Sequence, residues 1–129
     1  MTIFSKIISG EIPSYKIKEN NFFLAFLDVF PLVEGHVLVV PKLEVDKLFS
    51  LPDNYLSEIL LFSKSIALAI EKSFNCKRCG LSVIGLEVPH AHVHLVPMNT
   101  ADDLNFTREK LKIADNKMKE IQETIIKNL

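Results

Sequence analysis

The sequence predicts an α+β domain, an antiparallel sheet with helices laid against it, and three observations point there. From Glu87 to Pro97 histidine alternates with apolar residues in the two-residue period of a strand. Two apolar runs, Phe22–Val29 and His36–Pro41, flank a turn that holds Pro31 and Gly35, which is the pattern of a hairpin. Between the hairpin and the histidines, residues 53–74 place Leu56, Ile59, Leu60, Ile66, Ala67, Ile70 and Phe74 at helical spacing. At 129 residues the chain is long enough for one domain with its own core.

Residues 2–13 read as a short helix and its stop. Thr2 can cap it, Phe4, Ile7 and Ile8 form its apolar stripe, and Gly10 and Pro13 end it. In the hairpin, Asp28 closes the first strand and His36 opens the second. Taken alone, Asp28 is a turn-capping aspartate and His36 a strand-end histidine facing solvent. The helix over 53–74 is expected to be capped by Asp53, to cover one face of the sheet and to carry no chemistry. Cys76 and Cys79 supply only half of a structural zinc site and follow a helix rather than opening one, so two reduced, structural thiols are expected. From Thr107 to Leu129, Leu111, Met118, Ile121 and Ile125 recur at near-heptad spacing, an amphipathic helix with either a solvated outer face or a dimer contact.

Composition narrows the function. Fifteen basic residues against sixteen acidic ones leave a formal charge of −1, which offers no broad basic surface for nucleic acid. No apolar run reaches the roughly eighteen residues of a membrane span, and Lys6 and Glu11 interrupt any signal-peptide core. A cytoplasmic protein without a membrane partner is expected.

The histidines carry the chemistry. His90, His92 and His94 share one face of their strand, with Ala91, Val93 and Leu95 on the other. At about 3.3 Å per residue, His90 and His94 lie roughly 13 Å apart, too far to converge on one metal ion. A neighbouring pair could chelate, but the three rings cannot close around one ion, and no metal is expected. Three rings in register suit an elongated, multiply charged ligand, the middle ring aimed at one atom.

His90-Ala-His-Val-His-Leu-Val96 resembles the His-φ-His-φ-His-φ-φ signature of the histidine triad (HIT) family of nucleotide hydrolases and transferases. Three further stretches are similar to that family: Ile3 to Pro13, Phe26-Leu27-Asp28-Val29, and Gly35-His36-Val-Leu-Val-Val-Pro-Lys42. The resemblance implies a HIT-like fold over a single domain at residues 1–129, with a core at 2–97 and a C-terminal helical extension from about 105. It also implies a homodimer and no cofactor. By the same analogy His92 attacks the α-phosphorus of a purine nucleoside 5′-phosphoryl compound and forms a nucleotidyl-histidine, while His36, His90 and His94 orient it and surround the phosphate. Asp28 holds the ribose, Ile3, Phe4, Ile7, Ile12, Phe26 and Val29 build the base slot, and Leu27 is a further nucleotide-binding residue.

Two departures stand out. Where many relatives carry zinc-binding cysteines near the N-terminus, Thr2 and Ser5 stand here. The approach Gly85-Leu-Glu-Val-Pro-His90 is shorter than usual and lacks the family's amide and hydroxyl side chains, with Glu87 in the place of the hydroxyl residue. The leading expectation is a phosphoramidase-type hydrolase. A dinucleoside polyphosphate hydrolase and a non-catalytic nucleotide-binding module remain open beside it.

Overall fold

A computed structural model of the chain describes residues 1–129. Its elements run α1 (Ile3–Ile8), β1 (Lys16–Glu19), β2 (Phe23–Leu27), β3 (Val37–Pro41), α2 (Asp53–Ser73), β4 (Arg78–Ser82), β5 (Val93–Met98) and α3 (Asp115–Lys127). The strands form one sheet in the order β1-β2-β3-β5-β4, and every neighbouring pair is antiparallel. No helix is long and apolar enough to cross a membrane.

Residue parity sorts the two faces of this sheet. Phe23, Ala25 and Leu27 of β2, Val37 and Val39 of β3, and Val93 and Leu95 of β5 pack against Ile59, Phe62, Ile66, Ala69 and Ile70 of α2. Met118, Ile121 and Ile125 of α3 belong to the same cluster, so the C-terminal helix is built into the main core. Leu24, Phe26, Leu38 and Val40 turn to the opposite face and meet Phe4 of α1. The register Phe26–Leu38–His94 keeps the parity aligned across three strands. Each large apolar side chain buried this way contributes about 1.5–3 kcal/mol, and a slip of one residue would exchange the faces.

Several expectations change in detail. Asp53 lies in the first turn of α2 and makes no capping bond; the cap position is Pro52. The buried stripe of α2 is Ile59, Phe62, Ser63, Ile66, Ala69 and Ile70, while Leu60 faces solvent. The C-terminal helix begins at Asp115, not at Thr107. Thr107 gives both its backbone N–H and its hydroxyl to the Asn105 side chain, a local turn that competes with helix, and Leu111 gives its N–H to Pro31 C=O at 2.9 Å. Residues 105–114 are thus an irregular strap. The histidine strand also starts late, at Val93, because the N–H of Ala91 bonds to Val45 C=O outside the sheet.

Candidate functional site

The site lies on the α1 face, where even-numbered residues point. Asp28 follows β2 and His36 precedes β3, and the hairpin closes between them through Asp28 N–H to His36 C=O at 3.0 Å. Gly35 makes this possible: its φ is +94°, and a Cβ there would meet the Phe74 ring at 2.5 Å. His94 sits in β5 opposite Leu38. His90 and His92 come from the segment ahead of the strand, yet all four rings are buried on this face.

Hydrogen-bond partners assign the imidazole tautomers. Leu32 N–H donates to His36 Nδ1 at 3.0 Å, so the proton of neutral His36 is on Nε2. That proton goes to His94 Nδ1 at 2.9 Å, which leaves the His94 proton on Nε2. His90 donates Nε2–H to Pro41 C=O at 2.8 Å and accepts the Thr2 hydroxyl on Nδ1 at 2.9 Å. His92 donates Nδ1–H to His90 C=O at 2.7 Å. Of the eight ring nitrogens, His92 Nε2 alone keeps an unengaged lone pair.

Burial keeps His36, His92 and His94 neutral. It lowers His36 and His94 to about 3, with the positive charge of Lys110 adding to the effect, and it lowers His92 as well. Asp28 is pushed up to about 6, first by burial and further by the charge of Glu87. Its Oδ1 accepts the Phe30 N–H at 2.9 Å, and Oδ2 lies 3.6 Å from His36 Nε2. With His36 neutral, that approach is not an ion pair.

Neither polar cluster suits a metal. Asp28, His36 and His94 bring one ligand atom each within 4.8 Å of one another, a grouping the spacing of the triad alone does not reveal. However, His36 Nε2 carries a proton, and freeing it would cost the Leu32 bond. The second cluster joins α1 to the approach segment. Thr2 Oγ1 caps α1 by accepting Ser5 N–H at 3.0 Å, while Thr2 N–H and the Ser5 hydroxyl both reach Glu44 Oε1, at 2.9 and 2.5 Å. These donors are hydroxyls rather than thiolates, and the His90 Nδ1 lone pair already accepts the Thr2 hydroxyl. Zinc would have to dismantle the network.

The expected base-slot residues divide. Phe4 lies edge-on to Phe26, His90 and His92, with centroids 5.7, 5.8 and 5.0 Å away. Ile7 packs beside them, and Ile7 and Ile12 share a shallow concavity with Ile8, Pro13 and Leu24. Ile3 and Val29 are exposed and do not line it. Leu27 is a correction: parity turns it into the helix-side core, away from the histidines. Glu87 is exposed on the approach segment and makes no side-chain hydrogen bond. Cys76 and Cys79 are free, and burial raises both, Cys79 to about 12, which leaves them as protonated thiols. Sequence reasoning missed Glu44, Phe106 and Lys110; the 4.6 Å contact of Phe106 with His94 depends on a strap that no periodicity announces.

Comparison with known proteins agrees with this geometry. Residues 9–101 match the family model described as HIT domain. An uncharacterised HIT-like protein of Borreliella burgdorferi is 36% identical over 135 residues, covering 98% of this chain and 97% of its own length. Adenosine 5′-monophosphoramidase of Saccharomyces cerevisiae is 40% identical over 96 residues, covering 74% of this chain and 61% of the yeast protein. The crystal structure of a Hit-like protein from Bartonella henselae superposes with a TM-score of 0.86 at 26% identity, covering 99% of this chain and 96% of that one.

Proposed function

This chain belongs to the HIT family, and on that footing we propose that it hydrolyses a purine nucleoside 5′-phosphoramidate through a nucleotidyl group carried on His92. The observation that carries the reading is the lone pair on His92 Nε2. Its ring is held from behind by the bond of Nδ1–H to His90 C=O, so the nucleophilic nitrogen is aimed without being hindered. The relatives named as monophosphoramidases support the leaving group.

The remaining steps follow from the proton positions. A phosphoryl anion brought against His94 favours its protonated form, so His94 takes up a proton on Nδ1 together with the substrate and gives up the bond from His36 Nε2–H while it is charged. His92 Nε2 attacks the α-phosphorus, a P–N bond forms, and the bond to the leaving amine breaks. His94 Nε2–H supplies the proton that the departing nitrogen needs. Water then attacks the same phosphorus and returns its proton to His94, and the P–N bond to His92 breaks. Nucleoside monophosphate leaves, the proton taken up with the substrate is released to solvent, and both histidines return to their starting states.

The base is placed against Phe4, Phe26, Ile7 and Ile12, with Ile3 and Val29 at the rim, and the ribose hydroxyls against Asp28. A homodimer paired through β4 fits the edge position of that strand, where Leu81 is 43% exposed and Val83 and Ile84, just beyond its end, are 42 and 40% exposed. A cytoplasmic setting fits the two free thiols.

Metal-free protein mixed with adenosine and guanosine 5′-phosphoramidates, quenched and digested, tests the mechanism. Mass spectrometry should find a nucleotidyl adduct on the peptide that holds His92. Turnover with the adduct on another residue would refute the assignment, and an absence of turnover on every substrate of the panel would refute the activity.

A further inference from the structure

We propose that Lys110, held beside the histidine pair by the C-terminal strap, is the cation that recognises the charge of the bound phosphoryl group, and that Phe106 is the wall that sets its position. The inference rests on the nucleotide reading above and assigns a specificity residue to it.

The strap is fastened to the loop that joins Asp28 to His36. Leu111 N–H bonds to Pro31 C=O at 2.9 Å, and the Arg108 guanidinium bonds to Leu32 C=O at 2.5 Å. Arg108 is also occupied by the Asp102 carbonyl and carboxylate at 3.0 and 3.1 Å, and it lies 3.6 Å from Asp103. Leu32 is the residue whose N–H fixes His36, so one loop residue ties strap and histidine together. Phe106 then packs on the outer side of the pair, 4.6 Å from the His94 ring centre and 6.1 Å from that of His36.

Lys110 folds back over this ring, its Nζ 5.8 Å from the centroid. Two carbonyls hold it, Phe106 at 2.6 Å and Arg108 at 3.3 Å. An ammonium has three N–H bonds, so one remains for a ligand. Its charge is felt at Asp28, His36 and His94.

The need for such a group comes from the rest of the site. Neutral histidines offer N–H donors but no fixed positive charge, and Asp28 and Glu87 are both acidic. Residues 83–89 (Val-Ile-Gly-Leu-Glu-Val-Pro) contain no amide or hydroxyl side chain that could take phosphate oxygens. Arg108 is engaged elsewhere. Lys110 is the cation left to offset an incoming phosphate.

The test compares AMP with adenosine by isothermal titration calorimetry on wild-type protein, Lys110→Met and Lys110→Arg. Methionine keeps the unbranched stem on Phe106 and removes the charge. Lys110→Met should weaken AMP about tenfold, the effect of one partly screened ion pair, and leave adenosine within about twofold. Lys110→Arg should keep most of the AMP preference. An AMP-to-adenosine affinity ratio unchanged in Lys110→Met would overturn the proposal while leaving the nucleotide reading standing. An equal loss of both ligands would also overturn it, making Lys110 a brace of the strap. Wild-type protein that binds neither ligand would refute the nucleotide reading itself, and the proposal with it.

Discussion

Replacing Thr2 by valine removes one hydroxyl from a side chain of the same shape, and the structure sets the size of the loss. The Thr2 hydroxyl donates to His90 Nδ1 and accepts Ser5 N–H. His90 is 0% exposed, so its Nδ1 cannot turn to water. A buried acceptor stripped of its donor costs about 1–3 kcal/mol, and a lost N-cap costs about 1 kcal/mol. Together these give about 2–4 kcal/mol. With an unfolding entropy near 2.1 cal/mol/K per residue, that lowers Tm by roughly 7–15 °C for a chain of this length. Urea and thermal denaturation of Thr2→Val and Thr2→Ser provide the measurement; serine keeps both bonds and should stay within about 1 kcal/mol of wild type. If Thr2→Val lost less than about 0.5 kcal/mol, the His90 tautomer assigned here would be wrong.

His92→Ala should lower kcat by orders of magnitude while AMP binding survives, at a stability cost of about 1–3 kcal/mol for the His90 carbonyl it leaves unpaired; near-normal turnover would sink the mechanism. Asp28→Asn should raise KM more than it lowers kcat, because ribose contacts serve ground and transition states alike; a fall in kcat at constant KM would reject the ribose assignment. Stability should fall as the pH drops from about 6.5 toward 4, because unfolded His36 and His94 take up protons that the folded rings refuse until about 3. Asp28, raised to about 6 when folded, acts in the opposite direction over the same window, so about one net proton remains, or roughly 1.4 kcal/mol per pH unit near pH 5; urea midpoints that stay flat or rise on acidification would contradict the neutral pair. Glu87→Gln should change kcat/KM by less than about threefold, or 0.7 kcal/mol, since the side chain is exposed; a hundredfold loss confined to poor leaving groups would make Glu87 the acid instead.

What the sequence revealed is governed by period, and what it concealed is governed by contact. In the structure the even register of the hairpin carries Asp28 and His36 to the face of His94, whereas in the sequence only the family resemblance joins those two residues to the triad. Parity takes Leu27, expected to bind nucleotide, to the helix-side core instead. The extended approach of His90 and His92 was read as strand because alternation describes side-chain direction, not ladder bonds, and Ala91 bonds to Val45 instead. The strap was read as helix because Leu111 continues the spacing of Met118, Ile121 and Ile125. Its true course depends on Asn105, Thr107 and Arg108 finding partners that lie next to it or far away in sequence. Glu44 was invisible for a similar reason: an exposed glutamate 39 residues from Ser5 has no periodic signature.

The four imidazoles share one fold environment but not one chemistry, and the difference arises from second partners rather than from burial. Each neutral ring has one proton to give and one lone pair to fill. Three lone pairs are filled by protein donors: the Leu32 N–H, the His36 N–H and the Thr2 hydroxyl. The fourth, on His92, is left open because the proton of that ring is directed at a carbonyl of its own segment. The open lone pair is therefore selected by subtraction, through a helix cap on one side and a hairpin loop on the other, and under the proposed mechanism it is the nucleophile. Changes remote from the phosphate, at Thr2 or in the Pro31–Leu32 loop, should redistribute protons among the rings before they alter the shape of the pocket.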